Sequence, residues 1–384
     1  MFIYTDITYP TPGGAENLIF QVISLMLHQH KIESMIIGSR DSYLYKRLCD
    51  AHINFQFRDI RQGIGACDIT EDDTLILFSN SDNLKWIKAA KCKIIVWNIL
   101  SRSITNWNRF GFERRLTGRR IVGNFFTKRL ILEASRKRGL LSMDGATHDD
   151  LAHLLKKSIQ ENIYPVPVDT MGVQLTKRRR SGEVVNVSYI GRGDEVWKVK
   201  PLKKIAADLS TVLHKQFKLL IYTNSTELYK EELGSIEASN IQIDFIVNMF
   251  GSSLSEHINQ HSDIHFSMGT SALEGALAGK PTILMDASNE DFPDNYRYRW
   301  LHQTKRNTLG KFIDANTTLT YKGLTISEVL QVLDSEPEYD TMARLALEYT
   351  VTFHSSANIV RKLITHPTRL TARDVVINTP ALWF

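Results

Sequence analysis

One stretch decides the fold: Phe266-Ser-Met-Gly-Thr-Ser-Ala-Leu-Glu-Gly-Ala-Leu-Ala-Gly-Lys-Pro-Thr-Ile-Leu-Met-Asp286. It reads as a strand, a tight Gly-Thr-Ser turn, a helix, a Gly-Lys-Pro stop and another strand, an alternation that is typical of a parallel sheet covered by helices. The first helical amides, those of Gly269, Thr270, Ser271 and the residue that follows them, have no intrahelical partner and lie at the positive end of the helix dipole. The turn therefore predicts a phosphate site that needs no side-chain charge.

Glu274 lies about one turn into the same helix. Its carboxylate would repel phosphates, but it is placed to accept hydrogen bonds from the ribose hydroxyls of a nucleotide. An ordinary helix start in an α/β domain, with Glu274 as a surface residue, accounts for the segment equally well. Both interpretations stay open on this segment alone.

Four elements of the chain resemble GT-B glycosyltransferases of group 1, family four. Glu274, Gly279 and Pro281 match the second half of their nucleotide-sugar signature, Glu-x-x-x-x-Gly-x-Pro. The other three elements are Tyr9-Pro-Thr-Pro-Gly-Gly-Ala-Glu-Asn17, like the loop after their first strand, Ile163-Tyr-Pro-Val-Pro-Val-Asp169, like their interdomain stretch, and Val187-Ser-Tyr-Ile-Gly-Arg-Gly193, like the start of their second domain. All four come in the family's order and span nearly the whole chain.

The chain departs from this family at two places. The family signature has a first Glu, which contacts the donor sugar, eight residues before the second, and here Phe266 occupies that position. The family's catalytic-side His is also not evident, because Lys93-Ile-Ile-Val-Trp-Asn98 ends in Trp and Asn. The resemblance therefore leaves the sugar and the stereochemical outcome open.

The resemblance implies an α/β fold of two Rossmann-like, doubly wound domains that face a cleft. Residues 1–176 would form the acceptor domain, 183–350 the nucleotide-sugar donor domain, and 351–384 a segment that crosses back to the first domain. The boundary falls at the polar run Lys177-Arg-Arg-Arg-Ser-Gly182, which has no periodic pattern. The implied activity is transfer of a sugar from a nucleotide diphosphate donor to a growing cell-surface glycan, such as lipopolysaccharide or capsule, or to its lipid-linked precursor.

Composition is consistent with two domains in a reducing compartment. A chain of 384 residues that is 43% hydrophobic and 23% charged can bury two cores. Three scattered cysteines, Cys49, Cys67 and Cys92, argue against a disulfide framework and against a zinc ribbon. The chain begins directly with an apolar strand, and no apolar run approaches the length of a membrane span. A cytoplasmic location is expected, with peripheral contact to the inner face of the cell membrane.

Short apolar runs alternate with amphipathic segments along both halves of the chain. A helix is predicted after the Gly-Gly turn, because apolar residues from Ala15 to Met26 recur at helical spacing. The predicted strands are Phe2–Tyr4, Ser34–Ile37, Thr74–Phe78, Lys93–Trp97, Val184–Ile190, Phe217–Tyr222, Ile241–Phe245, Ile264–Phe266 and Thr282–Met285.

Two basic residues are candidates for binding the donor's phosphates. Arg192 follows the predicted strand Val184–Ile190, and Lys198 comes shortly after it, with Lys200 as a weaker substitute. A guanidinium binds phosphate oxygens in a bidentate way and a Lys adds a mobile charge. Gly13 and Gly14 would let the backbone approach the donor phosphates or the acceptor closely. Solvated surface charge is the alternative for both basic residues.

Three carboxylates are candidates for catalysis. An inverting transferase needs a base for the acceptor hydroxyl. Asp6 follows the first strand and Asp144 follows a later one, so both are expected at the crevice of a doubly wound domain. Glu16 begins the helix after the Gly-Gly turn, where a carboxylate is also favourable for structural reasons. Local hydrogen bonding in short turns is the alternative explanation for the two Asp residues.

No metal or cofactor is expected, and the donor is a substrate. His257, His261 and His265 are spaced four apart, but Ser262 and Asp263 interrupt the helix that would align them. The chain contains no Asp-x-Asp motif. This absence fits the resemblance to GT-B enzymes, which implies that amides and basic side chains hold the diphosphate in place of a divalent metal.

Positive charge is concentrated in residues 101–138. This basic segment holds eleven Lys and Arg residues against two Glu, a net charge of +9. Five aromatic residues, Trp107, Phe110, Phe112, Phe125 and Phe126, are interleaved with them. The mixture is typical of a surface that contacts anionic lipid. It would also suit nucleic acid, but no nucleic-acid motif is present, and a solvated helix pair with buried aromatics is the structural alternative.

Two other functions compete with glycosyl transfer. One is a sugar-nucleotide epimerase of the same architecture, which binds the same donor and needs paired carboxylates around the sugar. The other is a non-catalytic basic protein that binds membrane or nucleic acid on a decayed transferase scaffold. The loss of a Glu at Phe266 counts against the epimerase, and the intact elements around Arg192 and Glu274 count against decay.

Overall fold

A computed structural model describes residues 1–5, 14–59, 69–78, 92–99, 119–173, 175, 183–234, 236, 239–314, 317 and 322–378, with only the backbone described at 14–15, 119–127 and 376–378. The chain divides into two compact units. The first contains Met1–Asp169 together with His354–Phe384, and the second contains Thr170–Phe353.

The first unit contains a six-stranded parallel sheet. Its strands are β1 (Phe2–Thr5), β2 (Ser34–Gly38), β3 (Gln56–Asp59), β4 (Thr74–Phe78), β5 (Lys93–Asn98) and β6 (Leu140–Ser142). They lie in the order β3-β2-β1-β4-β5-β6, and every neighbouring pair is parallel. The order reverses between β1 and β4, which is the topological switch point of a doubly wound fold.

The second unit repeats this topology. Its strands are β7 (Val184–Ile190), β8 (Gln216–Thr223), β9 (Ile241–Val247), β10 (Ile264–Ser267), β11 (Thr282–Leu284) and β12 (Arg299–Trp300). The order is β9-β8-β7-β10-β11-β12, with β12 antiparallel to β11 and all other pairs parallel. Here the switch point lies between β7 and β10.

Helices cover the sheets, as short buried strands require, because all four residues of both β1 and β10 are buried. The helices are α1 (Gly14–His30), α2 (Tyr43–Asp50), α3 (Arg119–Arg136), α4 (Gly145–Leu155), α5 (Val196–Ser210), α6 (Glu227–Leu233), α7 (Gly251–His261), α8 (Thr270–Leu277), α9 (Ile326–Gln331), α10 (Glu336–His354), α11 (Ser356–Ile364) and α12 (Ala372–Asn378). Among the described residues, none of these helices is long and apolar enough to cross a membrane.

The two faces of the second sheet carry different helices. Leu219 and Ile221 of β8 belong to the same buried cluster as α5, whereas Leu220 and Tyr222 pack with α7. Successive strand residues point to opposite faces, so α5 and α7 lie on opposite sides of the sheet. Phe266 of β10 belongs to the α5 side.

The predicted strands are confirmed, with end points that differ by at most two residues. Strands β3 and β12 were not predicted, and β6 was predicted only as a strand without bounds before Asp144. The only large apolar residue in β3 is Phe57, and β12 is two residues long, so neither carries a periodic apolar signal. The predicted helix after the Gly-Gly turn is α1, in which Leu18, Ile19, Val22, Ile23 and Met26 are all buried.

Candidate functional site

The carboxyl ends of β7 and β10 bring two predicted site elements together in the second unit. Tyr189 of β7 is in register with Phe266 of β10, and the Ser267 hydroxyl donates to the Ile190 carbonyl at 2.9 Å. Arg192 follows β7 and Gly269 follows β10 at the same edge of the sheet. The switch point between these strands is where doubly wound sheets bind ligands.

The turn after β10 depends on Gly269. Its φ of 59° and ψ of −146° lie in a region that only glycine populates readily. The Gly269 N–H donates to the Leu309 carbonyl at 2.8 Å, and the Ala272 N–H turns back to the Gly269 carbonyl at 3.2 Å. The expectation that residues 269 and 272 both present unpaired amides is therefore wrong. The amides of Thr270 and Ser271 are those that make no backbone hydrogen bond within the described part of the chain.

A buried histidine holds the first turn of α8 against the sheet. His265 Nε2 lies 3.0 Å from the Ser271 carbonyl, which can only accept, so Nε2 carries the proton. Nδ1 then accepts from the Ser188 hydroxyl of β7 at 2.9 Å. Gly275 of α8 leaves room for the ring, because a Cβ at that position would lie 2.0 Å from His265 Cδ2.

Burial lowers the pKa of His265 to about 4, since no charged partner compensates for lost hydration. Its neutral form therefore contributes stability in full above about pH 6.5, the unfolded value, and this contribution is lost as the pH falls toward 4. We expect a loss of about 3 kcal/mol over this range. In thermal unfolding from pH 7 to pH 4, His265→Asn should lower stability at pH 7 and flatten its pH dependence. Wild-type and variant curves that stay parallel would contradict this assignment.

Glu274 lies half-buried on the second turn of α8. Ser255 of α7 donates to Glu274 Oε2 at 3.4 Å, and it is the carboxylate's one hydrogen-bond partner within the described residues. Burial raises the pKa of Glu274, partly offset by this hydroxyl. Because Ser255 contacts only Oε2, the carboxylate of Glu274 retains acceptor capacity for a ligand.

Arg192 and Lys198 converge on one carboxylate. Arg192 Nη2 lies 2.5 Å from Glu195 Oε1, and Lys198 Nζ lies 3.2 Å from Glu195 Oε2. Glu195 occupies the N-cap position of α5 without capping its amides. Burial, followed by the nearby Arg192, lowers the pKa of Lys198. Arg192 Nε also lies 4.0 Å from Asp194 Oδ1, so the two cations face two carboxylates at the switch point, and a ligand phosphate would replace these carboxylates as their partner.

Lys200 is engaged elsewhere. Its ammonium lies 2.9 Å from Glu232 and 3.0 Å from Asp291, and Lys203 joins the same two carboxylates. Burial lowers the pKa of Lys200, but the hydrogen bonds and charges of Glu232 and Asp291 together outweigh it and raise the pKa above its ordinary value. Lys198 is therefore the better match to the predicted phosphate ligand.

Comparison with solved structures identifies the architecture. A glycosyltransferase from Rickettsia africae ESF-5 superimposes with a TM-score of 0.60 at 14% identity, covering 98% of this chain and 99% of that one. The lipopolysaccharide outer core galactosyltransferase WaaB in its apo form gives 0.52 at 12% identity, covering 94% and 98%. An alpha-glucosyltransferase in complex with UDP gives 0.51 at 12% identity, also covering 94% and 98%.

The chain has the GT-B fold. No protein-family model matches its sequence, and no curated protein sequence matches it either. The fold prediction made from the four motifs is thus confirmed by structures whose sequences are only 12–14% identical. GT-B architecture consists of two Rossmann-like domains. The two sheets agree with this, because the strands of each follow the order 3-2-1-4-5-6 when they are numbered from the start of their own unit.

Phe266 explains the missing first Glu of the GT-B signature. It lies inside β10, fully buried, with its ring 5.7 Å from that of Tyr298 in a T-shaped contact. A side chain at this position faces the core on the α5 side and not the ligand edge. The turn between β10 and α8 is only two residues long, so counting eight residues back from Glu274 lands within the strand.

The candidate residues of the first unit are less informative. Asp6 and Gly13 lie outside the described residues, and Gly14 is the first residue of α1. Glu16 is buried in the first turn of α1. There a carboxylate complements the helix dipole. These positions neither support nor oppose the predicted roles.

Asp144 has a structural role. It is the N-cap of α4, where Oδ1 accepts from the Thr147 N–H at 2.7 Å and the Asp144 N–H donates to the Thr147 hydroxyl. Burial raises its pKa. It follows β6, two strands beyond β4 and so about 10 Å from β4, the strand that borders the switch point of the first unit. Capping accounts for Asp144 without a ligand, and its role as a base stays a prediction.

The three spaced histidines lie on two elements. His257 and His261 belong to α7, with ring centroids 4.2 Å apart, whereas His265 lies in β10 and is committed to Ser188 and Ser271. Within the described ranges, no group of three or more His, Cys, Asp or Glu side chains could hold a metal ion.

Sequence reasoning missed the residues that support the site. Ser255 and His265 act through contacts with residues distant in sequence, whereas Glu195 lies only three residues from its partners Arg192 and Lys198. None of the three stands in a motif that marks a supporting role. Asn224 is another example: its side-chain oxygen accepts from the Gly193 N–H at 3.0 Å and fixes the loop that carries Arg192. The one available signal was position, since Asn224 comes two residues after the end of the predicted strand Phe217–Tyr222.

Proposed function

We propose that this protein is a glycosyltransferase that moves a sugar from a nucleoside diphosphate donor to a growing cell-surface glycan or its lipid-linked precursor. The observation that supports it best is the juxtaposition of Arg192 and Lys198 with the turn of Gly269 at the β7–β10 switch point. Glycosyltransferases share the fold, and one of them binds UDP. WaaB, a galactosyltransferase of the lipopolysaccharide outer core, supports the acceptor class.

In the proposed site, each element binds one part of the donor. The amides of Thr270 and Ser271 and the two cations contact the diphosphate, and Glu274 accepts from the ribose hydroxyls. In the reaction, the bond between the sugar's anomeric carbon and the phosphate oxygen breaks, and a bond to the acceptor oxygen forms. The acceptor proton passes to a base, for which Asp6 and Asp144 remain the candidates. Arg192 and Lys198 offset the charge of the departing diphosphate, so the proposal requires no metal.

Glu274→Ala should weaken binding of a ribonucleoside diphosphate. The substitution removes one or two hydrogen bonds from ribose to a carboxylate, which corresponds to about 1 to 3 kcal/mol. Calorimetry with UDP and with 2′-deoxy-UDP distinguishes this contact from a general loss of structure. The Glu274→Ala substitution should weaken binding of 2′-deoxy-UDP less than it weakens binding of UDP.

Glu256→Ala provides the matched control, because Glu256 is an exposed Glu on the neighbouring helix α7 whose hydrogen bond is to Gln260. It should leave both affinities unchanged. Equal losses for UDP and its deoxy analogue in Glu274→Ala would place the ribose away from Glu274.

Contact with anionic membrane through the basic segment remains part of this proposal. Residues 101–118 of the segment lie outside the described residues, and only the backbone of 119–127 is described. Within α3, Arg136 pairs with Glu133 at 2.8 Å, and Lys137, which directly follows α3, pairs with Asp374 at 2.6 Å. The charge of +9 over residues 101–138 is the feature that supports a lipid partner.

Substituting Arg114, Arg115, Arg119 and Arg120 by Glu should release the protein from anionic vesicles. Each Lys or Arg near such a surface contributes roughly 1 kcal/mol, and salt screens the attraction. Vesicle sedimentation at low and high salt measures the effect, while nucleotide binding should not change. Equal pelleting of wild type and variant, or equal binding to neutral lipid, would remove the membrane role.

A further inference from the structure

Two aromatic side chains form a pair at the edge of the candidate site. Trp197, the second residue of α5, and Phe312, which follows β12 in the chain, have ring centroids 5.4 Å apart and ring planes at 51°. Phe312 is 58% exposed, which is unusual for a ring held in a packed contact. We call Trp197 and Phe312 the aromatic pair.

The aromatic pair lies next to both parts of the proposed phosphate site, the basic side chain Lys198 and the turn after β10. On one side, Lys198 Nζ lies 4.7 Å from the centroid of the Trp197 ring, so this ring directly adjoins the ammonium group that also contacts Glu195. On the other side, the Leu309 carbonyl accepts from the Gly269 N–H at 2.8 Å. Residues 309–312 thus connect the turn after β10 to the start of α5.

The segment that carries Phe312 is fixed in place. The Ala287 N–H donates to the Lys311 carbonyl at 2.8 Å, and the Ile313 N–H donates to the Ala287 carbonyl at 2.9 Å. Gly310 has a φ of 103°, and a Cβ there would lie 2.6 Å from the Met285 carbonyl oxygen. The exposed ring of Phe312 is therefore presented by backbone that packs against the end of β11.

The position of Glu274 sets the direction in which a donor would lie. Glu274 is on α8 and contacts α7 through Ser255, so the proposed nucleoside position is on the α7 side of the sheet. The diphosphate would cross the strand ends at Arg192. The sugar, attached to the far phosphate, would then reach the α5 side, where Trp197 and Phe312 lie.

An aromatic ring can stack on one face of a sugar ring. The face of an aromatic ring is electron-rich, and the C–H groups on the flatter face of a pyranose carry partial positive charge. Stacking also removes the exposed apolar surface of Phe312 from water. Phe266 supplies no carboxylate to this region because it faces the core.

We propose that Trp197 and Phe312 bind the pyranose ring of the donor by stacking, and that Phe312 determines affinity for the sugar separately from affinity for the nucleotide. The proposal rests on the donor site proposed above and adds the class of group recognised there. It requires a sugar with an exposed C–H face and no charge next to the ring.

Calorimetry with two ligand sets tests the proposal. The probes are UDP, GDP and dTDP and the glucose conjugate of each. In Phe312→Ala, the conjugate should lose about fivefold to tenfold in affinity, the range of an aromatic contact. The matching nucleoside diphosphate should change less than twofold, and Phe312→Tyr should retain wild-type affinity for the conjugate.

Leu213→Ala is the matched control, since Leu213 is 79% exposed and precedes β8 at the opposite end of the sheet. It should alter neither affinity. Equal losses for diphosphate and conjugate in Phe312→Ala, or no loss for the conjugate, would overturn the stacking role while leaving the nucleotide site intact. Failure of wild type to bind any of the six probes would overturn the proposed donor site and the aromatic pair's role with it.

Discussion

Gly275→Ala is expected to destabilise the second unit by about 1 to 3 kcal/mol or more, the cost of overpacking a core. In an ordinary helix the same substitution stabilises, because glycine costs 0.5 to 1 kcal/mol relative to alanine. Here the new methyl group would lie 2.0 Å from His265 Cδ2 and 2.3 Å from Cγ. The imidazole cannot move away without breaking its hydrogen bonds to Ser188 and Ser271.

A double-mutant cycle with His265→Ala tests the cause. Removing the imidazole creates space for the methyl group, so the double variant should be less destabilised than the sum of the two single variants. Thermal or urea unfolding followed by circular dichroism gives the three free energies of unfolding. A stabilised Gly275→Ala, or strictly additive effects, would mean that α8 does not pack on His265 as described.

The double substitution Arg192→Ala with Lys198→Ala should lower affinity for a nucleoside diphosphate by about 100-fold or more, because hydrogen bonds to charged groups contribute about 1.5 to 3 kcal/mol each. Affinity for the corresponding nucleoside, which lacks phosphates, should not change. The two side chains share Glu195, so each single variant leaves one cation still opposed by that carboxylate. We therefore expect the double variant to lose much more than either single one.

Lys200→Ala with Lys203→Ala is the matched control. It also removes two positive charges, but both of these lie on α5 and pair with Glu232 and Asp291. Affinity for the diphosphate should stay near the wild-type value. If the control loses as much affinity as the site variant, net charge and not the geometry at β7 determines binding.

The sequence predicted the elements whose signal is local. Strand β7 was placed at Val184–Ile190, as the structure has it, because a long run of mostly apolar residues between polar turns needs no tertiary information. Strand β3, with only Phe57, forms at the sheet edge through pairing with β2, so its stability comes from a partner distant in sequence. Pairing of this kind has no local pattern.

The residues of the candidate site also divide into those with a local sequence signal and those without one. Gly269 and Glu274 could be selected from the sequence because Gly269 lies in a predicted turn and Glu274 lies in the predicted helix that follows it. The Leu309 carbonyl, which takes up the Gly269 N–H, comes from a segment forty residues later. Asp144 was selected because it follows a strand. The same position also suits a helix N-cap, which Asp144 forms with Thr147. A polar residue at a strand end therefore indicates a position at the ligand edge and cannot distinguish capping from chemistry.

The most direct test of the central claim, that the switch point between β7 and β10 binds a nucleoside diphosphate without metal, is calorimetry of the wild-type chain with UDP, GDP and dTDP in the presence of EDTA. We predict one-to-one binding of at least one of the three, retained in EDTA and lost in the Arg192→Ala and Lys198→Ala double variant. Absence of binding by all three, binding that requires added magnesium or manganese, or undiminished binding in the double variant would contradict the claim.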